Sequence, residues 1–113
     1  PSIRFEYFLA FLKHADFILG NSSAGIREAP VYGVPTINVG SRQRGRFSHH
    51  TIEDVSCDVD AVRAALGRAL RTTDRAPSHH FGDGKSAERF VAALGTKRLW
   101  STPTQKQFQE LVR

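Results

Sequence analysis

The chain has almost no cysteine: Cys57 is the single thiol among 113 residues. No internal disulfide can form, and a reducing compartment, the cytoplasm, suits that usage best. Cys57 itself reads as a small buried hydrophobe rather than a nucleophile. The opening Pro1-Ser2-Ile3-Arg4 has no methionine and no signal-peptide pattern, and it runs almost directly into an amphipathic segment. A start so close to an element predicts a piece of a longer chain. Long apolar runs are missing as well. The most apolar stretch, Phe5 to Leu12, is interrupted by Glu6, and nothing approaches the roughly 18 residues of a membrane helix, so no membrane partner is expected. Metal-ligand spacing is also absent. His49-His50 and His79-His80 are adjacent pairs, which on a helix would not face one another, and no cysteine or carboxylate pattern at zinc spacing accompanies them.

The amount of chain is enough for one domain over residues 1–113 and too little for two ordinary ones. Hydrophobic residues make up 40% and charged residues 24%, which places the chain among soluble globular sequences. The formal charge is +5 at pH 7 and the pI is near 10.0. Such a balance reads either as a solvated basic surface or as a preference for an anionic partner. The distribution narrows the choice. Arg42, Arg44 and Arg46 alternate through one Gly-flanked loop, while the other basic residues are spread along helical faces. A local arginine cluster suits a phosphate pocket better than a duplex-sized footprint. Basic motifs interleaved with aromatics are lacking, so nucleic acid is not the expected partner.

Apolar residues at Phe5, Phe8, Leu9 and Leu12 carry the spacing of a helix face, and Lys13 and His14 suit its last turn. Residues 16–20 read as a short buried strand. Asn21-Ser22-Ser23 forms a polar turn able to cap a helix from about Ala24 to Tyr32 that stops at Gly33. Residues 35–40 read as a second strand, with Pro35 at its tolerated first position. Strand, helix and strand together make a βαβ unit and imply a parallel sheet. Residues 41–51 form a long basic loop of the kind that is commonly functional. Residues 52–57 hold a short strand, and Asp58 caps a helix whose inner face is Val59, Val62, Leu66 and Leu70. Ser86 caps another, with Ala87, Phe90, Val91 and Leu94 inward and Gly95 at its end. After Thr102-Pro103-Thr104 comes a last amphipathic helix with Phe108, Leu111 and Val112. This order predicts α/β layers.

Ligands of open α/β sheets bind beyond the carboxyl ends of the strands. Two turns fall there: residues 20–25 and residues 40–46, both rich in small residues and hydrogen-bond donors. The first opens a helix, where unpaired backbone N–H groups favour an anion. Ser22 and Ser23 add hydroxyl donors, and Ala24 and Gly25 let a phosphate approach the backbone. Arg42, from the neighbouring strand end, can add a charge-assisted hydrogen bond, worth about 1.5–3 kcal/mol against about 1 kcal/mol for a neutral one. Glu28 is a poor neighbour for phosphate but can accept two hydrogen bonds from a ribose diol. Each feature also has an ordinary structural reading: an N-cap, a solvated helix carboxylate, a surface arginine. Arg44 and Arg46 rank below Arg42.

Two blocks carry a resemblance. Gly20-Asn21-Ser22-Ser23-Ala24-Gly25-Ile26-Arg27-Glu28-Ala29-Pro30, followed by Tyr32-Gly33-Val34-Pro35-Thr36-Ile37-Asn38-Val39-Gly40-Ser41-Arg42-Gln43, resembles the signature of hydrolysing UDP-N-acetylglucosamine 2-epimerases. Phe81-Gly82-Asp83-Gly84-Lys85-Ser86-Ala87 resembles a second segment of the same superfamily. The resemblance implies most of the C-terminal, Rossmann-like domain of a two-domain, GT-B-type epimerase, with a three-layer parallel sheet and the N-terminal domain as intramolecular partner. It implies a UDP-sugar substrate contacted by Ser22, Ser23, Ala24, Gly25, Glu28, Arg42 and Gln43. It implies elimination of UDP followed by hydration, giving N-acetylmannosamine for sialic acid synthesis, without metal or nicotinamide cofactor. The acid/base carboxylates would come mainly from the other domain, so the fragment alone would be inactive, and a homo-oligomer is expected. Asn-Ser-Ser-Ala at residues 21–24 and Arg27-Glu28-Ala29 favour the hydrolysing branch. The other readings are an epimerase for a UDP-diacetamido sugar, another nucleotide-sugar enzyme of the same fold, or a basic nucleic-acid-binding module. Exposed Trp100 or Phe108 would be an aggregation risk.

Overall fold

The computed structural model describes residues 3–105. The chain packs as two compact units, one ending at Phe81 and one beginning at Gly82. The first holds α1 (Phe5–Lys13), β1 (Ile18–Gly20), α2 (Ala24–Arg27), a 3₁₀ turn (Ala29–Tyr32), β2 (Thr36–Val39), β3 (Ile52–Val55) and α3 (Val59–Arg71). The three strands form one parallel sheet in the order β1-β2-β3. Ile18 stands opposite Thr36, and Ile37 opposite Glu53. The expected α/β architecture with a parallel sheet is therefore present.

Alternation along the central strand explains the layering. Ile37 joins Val55, Ala65 and Ala69 in a core between the sheet and α3, with Phe17, Val39, Val62 and Leu66 packed against it. Thr36 points the other way, and its hydroxyl donates to the Gly25 carbonyl of α2 at 2.7 Å. A second core, Leu12, Ala29 and Val34, ties α1 to the 3₁₀ turn. Within α1 only Leu12 is fully buried; Phe8 and Leu9 are half-buried, and Phe5, expected inside, is 58% exposed.

Three further expectations change in the first unit. The helix predicted over residues 24–32 is one α-helical turn followed by a 3₁₀ turn. Pro30 causes the break, because it has no N–H to donate back to Ile26. Gly33 does end the segment, in the left-handed conformation with φ 64°. The inner face of α3 is rotated: Ala65 and Ala69 are buried, while Val59 and Leu70 are 70% and 57% exposed. Residues 62, 65, 66 and 69 also follow helical spacing, and the alanines let the helix sit close to the sheet. Cys57 is exposed rather than buried, because β3 has ended and the chain is turning toward α3.

Asp58 caps α3 as its sequence position suggests. Its Oδ1 accepts from the N–H groups of Asp60 at 3.1 Å and Ala61 at 2.9 Å. Asp58→Ala removes both bonds and is expected to cost about 1 kcal/mol; urea unfolding of the two proteins measures it, and a loss under a few tenths would refute the cap.

The second unit holds α4 (Ser86–Leu94) and a short α5 (Lys97–Trp100) that the sequence reading missed. The cap position of α4 is Lys85 rather than Ser86, with no side-chain capping bond. Asp83 organises this start instead: it accepts from the Lys85 N–H at 3.1 Å and pairs with both terminal nitrogens of Arg89 at 2.9 and 2.8 Å. No residue of α4 is buried, although Ala87, Phe90, Val91 and Leu94 were expected inside. Gly95 closes the helix. Trp100 is 74% exposed, and its indole N–H donates to the Leu94 carbonyl at 2.7 Å. Phe108, Leu111 and Val112 lie outside the described residues. No helix among the described residues is long and apolar enough to cross a membrane.

Candidate functional site

The site grows from the carboxyl ends of β1 and β2. The two strands are neighbours and parallel, so the turns after Gly20 and after Val39 emerge side by side. Gln43 fastens them together. Its Nε2 donates to the Asn21 carbonyl at 2.9 Å, and its side chain is almost completely buried. This tie makes the two loops one surface rather than two independent ones.

On that surface, Ser22 accepts a hydrogen bond from the Ala24 N–H at 3.3 Å, which leaves its own O–H proton free to donate. Ser23 occupies the N-cap position but makes no capping bond. Its hydroxyl is thus not spent on the helix, contrary to the usual fate of such a serine. Because α2 is a single turn, it brings no long helix dipole to this surface, whose local donors are the serine hydroxyls and nearby guanidinium groups.

Gly25 has a packing reason to be glycine. A Cβ there would stand 2.6 Å from the Thr36 methyl carbon, so its side toward β2 is already filled. Ala24 is half-buried beside it. Glu28, where α2 gives way to the 3₁₀ turn, is half-buried, and its Oε2 is buried with no hydrogen-bond partner. A carboxylate oxygen in that state is costly without a donor.

The arginine loop divides in two. Its residues turn tightly, with the Arg44 N–H bonded to the Ser41 carbonyl and the Arg46 N–H to the Gln43 carbonyl. Arg42 lines one recess with Gly20, Asn21, Gly40, Ser41 and Cys57. Gln43 and Arg46 line a second, of about 290 Å³, with Ser23, Ile26, Arg27 and Phe81. The sequence names Arg46 in the arginine cluster but ranks it below Arg42, and includes Arg27 and Phe81 only as members of the two resembling blocks. None of Arg27, Arg42, Arg44 and Arg46 forms an ion pair among the described residues.

An aromatic cluster borders the second recess. The Phe47 ring stacks on His80 at 4.4 Å and meets Phe81 edge-on at 5.1 Å, and the Arg27 guanidinium lies 5.7 Å from the Phe81 ring centre. The segment is not helical, so His49 and His50 do face each other, with ring centres 4.1 Å apart. His50 pairs with Asp74 at 3.4 Å. Burial, reinforced by neighbouring His50 and partly opposed by Asp74, lowers the His49 pKa below the ordinary histidine value. Among the described residues no three His, Cys, Asp or Glu side chains come together as a metal site.

A small-residue turn tied to an arginine loop at adjacent parallel strand tips lies where open α/β sheets take their ligands. Residues 1–95 match the family described as UDP-N-acetylglucosamine 2-epimerase, and the chain belongs to that family. It is 45% identical to a UDP-N-acetylglucosamine 2-epimerase of Neisseria meningitidis serogroup B, over 98% of this chain and 30% of that protein. It is 39% identical to a UDP-N,N'-diacetylbacillosamine 2-epimerase (hydrolyzing) of Legionella pneumophila, over 83% of this chain and 25% of that protein. A third relative, a GDP/UDP-N,N'-diacetylbacillosamine 2-epimerase (hydrolyzing) of Campylobacter jejuni, is 45% identical over 43% of this chain and 13% of its own length. The chain thus spans less than a third of these relatives.

Proposed function

We propose that this chain is the UDP-gripping portion of a hydrolysing UDP-N-acetylglucosamine 2-epimerase of the cytoplasm, with a second Rossmann-like half facing it across a cleft. The diphosphate rests on Ser22, Ser23 and the arginine loop, with Ala24 and Gly25 beneath it, Arg42 and Gln43 beside it, and the ribose on Glu28. The observation that carries this reading is the Gln43–Asn21 bond, which holds a serine turn and an arginine loop together at neighbouring strand tips.

The chemistry is an elimination followed by an addition. A base removes the proton at C2 of the sugar, the C1–O bond to UDP breaks, and a glycal forms. Water then adds its hydroxyl at C1 and a proton at C2 on the opposite face, giving N-acetylmannosamine. The acid and base groups come mainly from the facing half. The residues here stabilise negative charge that grows on the departing diphosphate, where fixed donors contribute most.

The complete polypeptide, incubated with UDP-N-acetylglucosamine in ¹⁸O-water, should release UDP free of label and N-acetylmannosamine carrying one ¹⁸O. UDP-N-acetylmannosamine as the end product would overturn the hydrolysing assignment. The 39% identity to the Legionella enzyme favours a second reading, a UDP-diacetamido sugar as substrate. Offering both sugars in competition decides between them by which one releases UDP.

A further inference from the structure

We infer that Arg27 and Arg46, with Ser23, hold the sugar-side phosphate of the bound UDP-sugar, and that Gln43 Oε1 accepts a hydrogen bond from a donor beside that phosphate. This deepens the proposed function and rests on its UDP reading. The argument begins with the recess itself. Ser23, Ile26, Arg27, Gln43, Arg46 and Phe81 enclose about 290 Å³, room for a phosphate with part of a neighbouring group. Two guanidinium groups line it, and neither forms an ion pair with a carboxylate among the described residues. Like charges gathered in one hollow repel unless an anion enters, and guanidinium forks match phosphate oxygens. Arg42, by contrast, lines the neighbouring recess with Gly20 and Asn21. A diphosphate laid across the joined loops has two phosphoryl groups to neutralise, and the two recesses offer separate basic groups for them.

Gln43 supplies the second, independent observation. Its side chain is 2% exposed, and its orientation is fixed because Nε2 must face the Asn21 carbonyl. That leaves Oε1 buried with no hydrogen-bond partner. An unpaired buried acceptor is costly, and a bare phosphate, with acceptors only, does not relieve it. A ligand that places an O–H or N–H next to its phosphate does. The sugar of a UDP-sugar carries such a group on C2, the carbon next to the one that bears the glycosidic oxygen, whereas the uridine side meets Glu28. The Phe81 ring, in contact range of Arg27, helps hold that guanidinium over the recess.

The test compares UDP with UMP, which lacks the second phosphate, by calorimetry on the complete polypeptide. The wild type should bind UDP more tightly than UMP. Arg46→Ala and Arg27→Ala should each weaken UDP by about tenfold or more while changing UMP by less than about twofold, and Arg46→Lys should recover part of the loss. Both side chains are exposed, and a melting temperature unchanged from wild type confirms that each variant is folded. Equal weakening of UDP and UMP, or no change in either, overturns the assignment of the second phosphate to Arg27 and Arg46. A wild type that binds neither nucleotide overturns the UDP reading instead. Gln43→Glu places a negative charge against the phosphate and should weaken UDP at least as much as the arginine variants; unchanged affinity overturns the role given to Gln43.

Discussion

Replacing Gly33 by alanine should destabilise the first unit by at least about 3 kcal/mol, the largest effect expected of any single methyl group here. Two causes add. Gly33 has φ 64°, where a non-glycine residue is strained by about 1 kcal/mol or more. The added Cβ would also stand 2.0 Å from the Arg75 carbonyl oxygen, a backbone atom that cannot swing aside. The segment around Arg75 is held in place from both ends. The Ser78 N–H donates to the Pro30 carbonyl at 2.8 Å, and an Arg75 guanidinium nitrogen donates to the Asp16 carbonyl at 3.2 Å. Relieving the clash therefore means breaking bonds that fasten residues 75–78 to Asp16 and to the 3₁₀ turn. Domains of ordinary stability have only about 5–15 kcal/mol in total, so the variant should unfold at markedly lower urea. A loss below about 1 kcal/mol would mean that the segment is free to move away. The same segment runs on to Phe81 at the arginine recess, so the glycine links packing at one end of the 3₁₀ turn to the shape of the site.

Much of this arrangement is legible in the sequence because it depends on local chemistry. Strand β1 follows from a short apolar run and β2 from a β-branched run between turn residues, and Asp58 and Gly33 mark helix ends by their capping capacities. The division of the 24–32 segment is legible in hindsight from Pro30, whose missing N–H breaks the α-helical ladder. The buried face of α3 is harder to see. Hydropathy points to Val59 and Leu70, yet the close approach of the helix to the sheet selects Ala65 and Ala69. The candidate site shows the same division. Ser22, Ser23, Glu28 and Arg42 are found by position relative to the strands. Arg46 is not, because its place depends on the turn the loop forms, which groups Gln43 with Arg46 and sends Arg42 to the other recess. Phe81 arrives from a distant segment, and no local pattern announces it. Helix α4 has helical spacing but no buried face among the described residues, so periodicity there gives the element without its partner.

Glu28→Gln should weaken UDP binding by about tenfold to a hundredfold while leaving the protein as stable as before, or slightly more stable. The opposite directions follow from one atom. Glu28 Oε2 is buried without a hydrogen-bond donor from the protein, so the carboxylate carries an uncompensated desolvation cost that an amide of the same shape reduces. In the proposed complex the two carboxylate oxygens accept from the ribose 2′- and 3′-hydroxyls. The amide keeps one acceptor and loses the charge, and each charge-assisted bond is worth about 1.5–3 kcal/mol. An ordinary structural carboxylate would behave differently, since removing it would lower stability and leave nucleotide affinity untouched. The ribose assignment also makes a finer demand. The 2′-deoxy form of UDP already lacks one of the two donors, so Glu28→Gln should weaken it less than it weakens UDP, and the wild-type preference for the ribose form should shrink. Calorimetry with both nucleotides, beside urea unfolding, measures the pair of effects. If UDP and its deoxy analogue weaken by the same factor, Glu28 acts on the fold or the phosphates and the ribose is held elsewhere.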